Sequence, residues 1–238
     1  MLEFINFTKS YSGGVKAVDD LSLKVESGEI YGFIGHNGAG KTTAIRCAVG
    51  VLDFDEGDIL IDGHSIRREP IACKQVTAYI PDNPDIYDHL TGTQYINFIS
   101  DIYGVGAERK ELIEGYAKRF EMQTRLDELI SAYSHGMKQK VAIIAALVHS
   151  PKLLILDEPF VGLDPKAAHT LKLIMRELCD SGSAIFFSTH VLEVAEKLCD
   201  KVAIIKNGRL IESGSMEEVR GNSSLEDVFL ELIEEPEA

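Results

Sequence analysis

Apolar residues alternate with polar ones at Leu2-Phe4 and again at Leu21-Leu23-Val25, with the turn Ser12-Gly13-Gly14 between the two segments. A period of two belongs to a strand with one buried face, and a glycine turn reverses the chain, so this region predicts antiparallel strands. The pattern then changes. Ile30, Tyr31, Phe33 and Ile34 form a nearly continuous apolar run, the mark of a strand covered on both faces, and a helix-compatible run extends from Thr43 to Val51. Short strands are predicted at Asp58 to Ile61 and Val76 to Ile80, before Pro81, Asn83 and Pro84 break the pattern. A mainly helical stretch extends from there to about Ser150, closing with an amphipathic helix through Val141, Ile144, Ala145 and Val148. From Leu153 a β-then-α rhythm resumes: Leu153 to Leu156, a helix opening at Asp164-Pro165 with Asp as cap, then Ala184 to Phe187. Two final strands, Val202 to Ile205 and Leu210 to Glu212, flank the turn Asn207-Gly208. Such alternation makes a mostly parallel sheet covered by helices. The predicted fold is therefore α/β. Residues 1–82 and 151–238 form a core with an N-terminal antiparallel β subdomain, residues 83–150 are an inserted helical subdomain, and the whole is one domain.

The apolar strand at 30–34 leads into Gly35-His36-Asn37-Gly38-Ala39-Gly40-Lys41-Thr42, a fit to G-x-x-x-x-G-K-[ST]. Glycines at 35, 38 and 40 let the backbone curl so that its N–H groups converge on phosphate oxygens at the positive end of the next helix. Lys41 reaches the β- and γ-phosphates, and the Thr42 hydroxyl is placed to ligate Mg²⁺, which takes few protein oxygens beside those of the nucleotide. Leu153 to Leu156 ends in Asp157-Glu158-Pro159, so two carboxylates emerge at the carboxyl end of a strand, where open α/β sheets bind ligands. Asp157 suits the metal, while Glu158, one residue further out, suits orienting or deprotonating an attacking water. Ser188-Thr189-His190 brings a histidine to the same edge, where a donor to the γ-phosphate can report its presence. Ser134-His135-Gly136-Met137-Lys138-Gln139 opens another helix, and a serine N-cap followed by glycine makes Ser134 and Gly136 a second anion site. One γ-phosphate hardly needs two helix N-termini from one chain. The second site therefore serves a nucleotide held by another copy.

Composition narrows the partners. Lysine and arginine number 24 against 38 for aspartate and glutamate, a formal net charge of −14, so no broad footprint for nucleic acid is expected. Part of that acidity lies in the tail at Glu226, Asp227, Glu231, Glu234, Glu235 and Glu237, read as a solvated helix face. The four cysteines, Cys47, Cys73, Cys179 and Cys199, have neither zinc nor disulfide-framework spacing, which fits a reducing cytosol. No secretory signal is expected, because Glu3 and Asn6 interrupt the first apolar residues. The longest unbroken apolar stretch, Val141 to Val148, is far below a membrane span, so any channel must come from another chain.

The ordered set GHNGAGKT, SHGMKQK, LLILDEP, VGLD and STH resembles the nucleotide-binding subunit of bacterial ABC transporters, over essentially the whole chain. The short chain and the Pro-Asp-Asn-Pro loop look more like ABC-2 or exporter-type systems than like sugar importers. The resemblance implies an ATPase that uses ATP and Mg²⁺, works as a homodimer or heterodimer closed by ATP, and drives a separate integral membrane permease from the cytoplasmic face of the cell membrane. SHGMKQK looks like the family's LSGGQ signature, VGLD at 161–164 like its D-loop, and His190 like its switch histidine, giving Glu158, His190 and Lys41 catalytic roles. Tyr11 matches the aromatic that stacks on adenine, with His36, Asn37, Ala39 and Thr43 completing the nucleotide-binding set. Two departures stand out. Asp82 occupies the position usually held by glutamine, adding a carboxylate beside the triphosphate as a further metal contact. His135 stands where the signature usually has glycine. The alternatives are a soluble ABC-type ATPase acting on nucleic acid or ribosomes, and a small-molecule kinase using the same phosphate loop.

Overall fold

The structure is a computed structural model describing residues 1–234; Glu235, Glu237 and the side chain of Glu234 lie outside the described residues. In chain order the elements begin with β1 (Leu2–Ser10), β2 (Lys16–Val25), β3 (Ile30–Ile34), α1 (Lys41–Ala48), β4 (Glu56–Ile61) and β5 (His64–Ser65). Then come α2 (Pro70–Val76), β6 (Thr77–Ile80), α3 (Gly92–Ile102), α4 (Arg109–Arg119) and α5 (His135–Leu147). The chain continues with β7 (Leu153–Asp157), α6 (Pro165–Asp180), β8 (Ala184–Thr189), α7 (Leu192–Leu198), β9 (Lys201–Lys206), β10 (Arg209–Ser215), α8 (Met216–Arg220) and α9 (Leu225–Glu234). Val76, read from the sequence as the start of a strand, instead ends α2, whose first residue, Pro70, has the fixed φ suited to a helix start.

Two sheets divide the strands. One has the order β2-β1-β4-β5 and is antiparallel, with Leu2 opposite Val25 and Phe4 opposite Leu23. The other has the order β10-β9-β3-β8-β7-β6 and is parallel except for the β9–β10 hairpin. The parallel strands alternate their side chains between two apolar cores. Ile30, Ile34, Leu154, Leu156, Ile185 and Phe187 face one core, whereas Tyr31, Phe33, Leu153, Ile155, Ala184 and Phe186 face the other. This two-sided burial explains why β3, β7 and β8 read as unbroken apolar runs. On the second side Phe186 is fully buried with its ring centroid 5.9 Å from Phe4 and 5.4 Å from Phe33, which ties the antiparallel sheet to the parallel one. Burying each such ring contributes roughly 1.5–3 kcal/mol.

On the first side lie α3, α5 and α6. The amphipathic pattern expected for α5 is not what the structure shows: from Val141 to Leu147 every residue is buried. A helix apolar all round is a buried one, and α5 packs against both α3 and β6 while sharing the first core with β7 and α6. Among the described residues no helix is long and apolar enough to cross a membrane. Because β3, β7 and β8 run parallel, the loops after all three open at the same sheet edge, where the chemistry gathers.

Candidate functional site

The loop from Gly35 to Gly40 joins β3 to α1, and its glycines serve different purposes. Gly38 and Gly40 have φ of 85° and 109°, conformations that L side chains rarely adopt. A Cβ on Gly40 would lie 2.3 Å from the carbonyl oxygen of Ala17, and one on Gly35 would lie 2.6 Å from that of Ile205. Gly35 thus answers a close approach rather than the curl expected from the sequence. The N-cap of α1 is Gly40, with no side chain to satisfy the first-turn N–H groups, so those donors are left to a ligand. Ala39 N–H donates to the carbonyl of His36 at 3.1 Å, and His36 Nδ1 lies 2.8 Å from the carbonyl of Asn37, itself exposed. Lys41 is 5% exposed and curls back into the loop, donating to the carbonyls of Gly35 at 2.6 Å and His36 at 3.2 Å. Burial lowers its pKa, against the opposing pull of the Glu158 and Asp157 carboxylates.

Asp157, at the end of β7, is fully buried, and its Oδ1 accepts from the Ser188 hydroxyl at 2.5 Å. Among the described residues its buried Oδ2 has no hydrogen-bond partner. Burial pushes the carboxyl above its ordinary range, Asp82 and Glu158 add to the rise by like charge, and the adjacent Ser188 and Thr42 hydroxyls oppose it. An orphaned carboxylate oxygen beside a threonine hydroxyl, with the exposed Asp82 carboxylate nearby, is a donor set that fits Mg²⁺. Glu158 follows in a left-handed backbone conformation, φ 47°, with its N–H donating to the Ser188 hydroxyl at 3.0 Å. Its two oxygens reach different partners: Oε1 is 3.6 Å from Lys41 Nζ, and Oε2 is 3.0 Å from Nδ1 of His190. The structure therefore gathers Lys41, Thr42, Asp157, Glu158 and His190 in one place. It also adds Ser188, whose role needed the pairing of Asp157 with Ser188 across β7 and β8 to become visible.

Tyr11 stands at the rim, 48% exposed, with its hydroxyl 3.4 Å from that of Thr43 and Lys9 Nζ 5.6 Å from its ring centroid. Among the described residues no hydrogen bond joins Ser134 or Gly136 to this constellation. Ser134 caps α5, its hydroxyl accepting from Met137 N–H at 3.3 Å while keeping its own proton to donate. Among the described residues neither Ser134 nor Gly136 hydrogen-bonds to the phosphate loop of the same chain.

Comparison with known proteins settles what such a chain is. The profile of the ABC transporter family matches residues 18–161, more than half of the sequence. The chain belongs to the ABC transporter family. It is 36% identical over 236 residues to the ABC-type transporter ATP-binding protein EcsA of Bacillus subtilis (strain 168), covering 95% of this chain and 96% of that one. It is 35% identical to the ABC transporter ATP-binding protein NatA of the same organism, over 90% of this chain and 88% of NatA. A solved structure of an ATP-binding subunit of an ABC transporter superposes with a TM-score of 0.93 at 34% identity, over 98% of this chain and 99% of the other. Within the ABC transporter family the chain is an ATP-hydrolysing subunit, and the readings as a nucleic-acid or ribosome ATPase or a metabolite kinase are set aside.

Proposed function

We propose that two copies of this chain close around two ATP molecules, each held between the phosphate loop of one copy and the α5 N-terminus of the other, and that opening and closing drives a separate membrane permease from the cytoplasmic side. The observation that carries this reading is the exposed Ser134 hydroxyl with a proton left to donate, on a helix N-terminus that, among the described residues, makes no hydrogen bond to its own phosphate loop. A donor pair so placed completes a γ-phosphate site in another molecule.

In this mechanism the first-turn N–H groups of α1 and the Lys41 ammonium take the phosphates, with Lys41 exchanging its carbonyl acceptors at Gly35 and His36 for phosphate oxygens. Thr42 and Asp157, with Asp82 beside them, would hold Mg²⁺, which when bound neutralises charge on the phosphate oxygens. Glu158 accepts the proton of the attacking water. His190 holds that carboxylate through Nδ1, and the Ser188 hydroxyl fixes the Glu158 backbone, so the base enters the reaction with its orientation set. Once the γ-phosphate is gone, Ser134 and Gly136 lose their acceptor and the copies separate, a switch set by differential binding of two nucleotide states.

If each reaction centre needs two copies, specific ATPase activity should rise with enzyme concentration and then level off. Turnover per chain that stays constant on dilution through the micromolar and nanomolar range would remove the two-copy reading. A second expectation concerns the base. Tyr11→Ala should raise KM for ATP by about five- to tenfold, the loss of one stacking contact worth about 1–1.5 kcal/mol, with kcat little changed. Tyr11→Phe should behave as the parent, because the hydroxyl contact to Thr43 is long at 3.4 Å. Steady-state kinetics of the two variants checks both halves of that statement.

A further inference from the structure

His135 lies outside the mechanism just described, and it occupies an unusual place. Although exposed, it has its ring against the backbone of Gly162: a Cβ on Gly162 would meet His135 Cδ2 at 2.5 Å and Nε2 at 2.9 Å. Gly162 has φ 81°, so the loop at this point is already in a conformation that requires glycine. Two more contacts join the same pair of segments. A Cβ on Gly136 would meet the carbonyl oxygen of Gly162 at 2.8 Å, and Lys140 Nζ is 2.6 Å from Asp164 Oδ2. Asp164 in turn caps α6, accepting from Ala167 N–H at 2.9 Å.

The loop so held is the one that begins with Glu158. Val161 N–H donates to the Glu158 carbonyl at 3.2 Å, and Leu163 N–H donates to that of Phe160 at 3.4 Å, so residues 158–163 form two linked turns rather than a slack connection. Phe160 anchors the middle of it, its ring packed edge-on to the buried Phe187 at 5.9 Å. One turn beyond His135 on α5, Gln139 is fully buried, and among the described residues neither of its amide atoms is hydrogen-bonded.

We propose that His135 is a positioning residue for the base: its ring, packed against Gly162, makes residues 158–163 move with the α5 N-terminus, so that capture of the other copy's ATP by Ser134 and Gly136 sets Glu158 in its own site. The inference rests on the two-copy reading above and adds a link within one chain between the site it lends and the site it owns. The ring acts by its bulk and its contact, so an aromatic replacement keeps the link while a small one breaks it. A misplacement of the base by a fraction of an ångström to 1 Å lowers turnover without touching nucleotide affinity.

The test compares His135→Ala and His135→Phe in the full chain, each alone and combined with Glu158→Gln. His135→Ala should lower kcat by about ten- to a hundredfold with KM for ATP unchanged, His135→Phe should restore most of the rate, and His135→Ala/Glu158→Gln should dimerise with ATP as Glu158→Gln alone does in sedimentation. Parent kcat in His135→Ala overturns the proposal, as does a His135→Phe variant as slow as the alanine one. Loss of the ATP dimer in His135→Ala/Glu158→Gln also overturns it, because the histidine would then act at the seam and not through the loop. If Glu158→Gln by itself never dimerises with ATP, the two-copy reading fails and this inference falls with it.

Discussion

Glu158→Gln is expected to lower kcat by about 10²- to 10⁴-fold while ATP still binds, the range over which a positioned general base contributes. The substitution is close to isosteric, and the backbone of residue 158 is held independently of its side chain by the Ser188 hydroxyl, 3.0 Å from its N–H. His190 Nδ1 can still donate to the amide oxygen, so the ring keeps its place. What disappears is the charge that takes a proton from water. The same charge lies 3.6 Å from Lys41 Nζ, and removing it takes away a competitor for that ammonium. Affinity for ATP should therefore be equal to or slightly higher than the parent's, and the ATP-dependent dimer should persist, because the step that dissolves it no longer occurs. Steady-state turnover, nucleotide titration and sedimentation with ATP measure the three parts separately. Parent-rate hydrolysis in this variant would falsify the assignment of Glu158 as the base.

The second large effect is expected at Asp157. Among the described residues its Oδ2 is buried without a partner, and its carboxyl is pushed above the ordinary range first of all by burial, so the folded chain carries the desolvation cost of that carboxylate. Asp157→Asn keeps the acceptor for the Ser188 hydroxyl and removes that charge. The free variant should unfold at the same temperature as the parent or a few degrees higher, since no buried charge remains to be solvated on unfolding. Mg²⁺ with ATP should stabilise the parent strongly and the variant weakly, and turnover should fall by about 10²–10³-fold, corresponding to several kcal/mol of metal-dependent charge stabilisation. Thermal unfolding with and without Mg²⁺ reads the first effect and kinetics the second. Equal Mg²⁺ responses in parent and variant would take Asp157 out of the metal site.

Much of the site could be read without coordinates because its parts are local. A phosphate loop is a strand, a few glycines and a helix start within eight consecutive residues, so Gly35 to Thr42 carry their own context. Asp157 and Glu158 announce themselves at the end of an apolar run, and Asp164 and Ser134 as residues that cap the helices after them. The expected roles of Tyr11 and Asp82 came instead from resemblance, since nothing in their own neighbourhoods demands a nucleotide. Where local pattern misled, tertiary burial was the cause. Val141 to Leu147 looked one-sided by spacing, and only the packing of α5 between α3 and β6 buries it all round.

From its own order of residues this protein had its parallel core, its phosphate loop and its pair of strand-end carboxylates settled, since each depends on neighbours a few positions apart and on the burial period of a strand or helix. Tertiary structure alone decided the rest: that Ser188 is the hydroxyl anchoring both Asp157 and Glu158, that Lys41 and His190 share one carboxylate, and that His135 bears on Gly162. Those contacts join residues between 27 and 117 positions apart, from His135 with Gly162 to Lys41 with Glu158. All but the contact of His135 with Gly162 exist because parallel strands bring their carboxyl ends to one edge whatever the length of chain between them, and no pattern along the chain encodes which of those ends become neighbours.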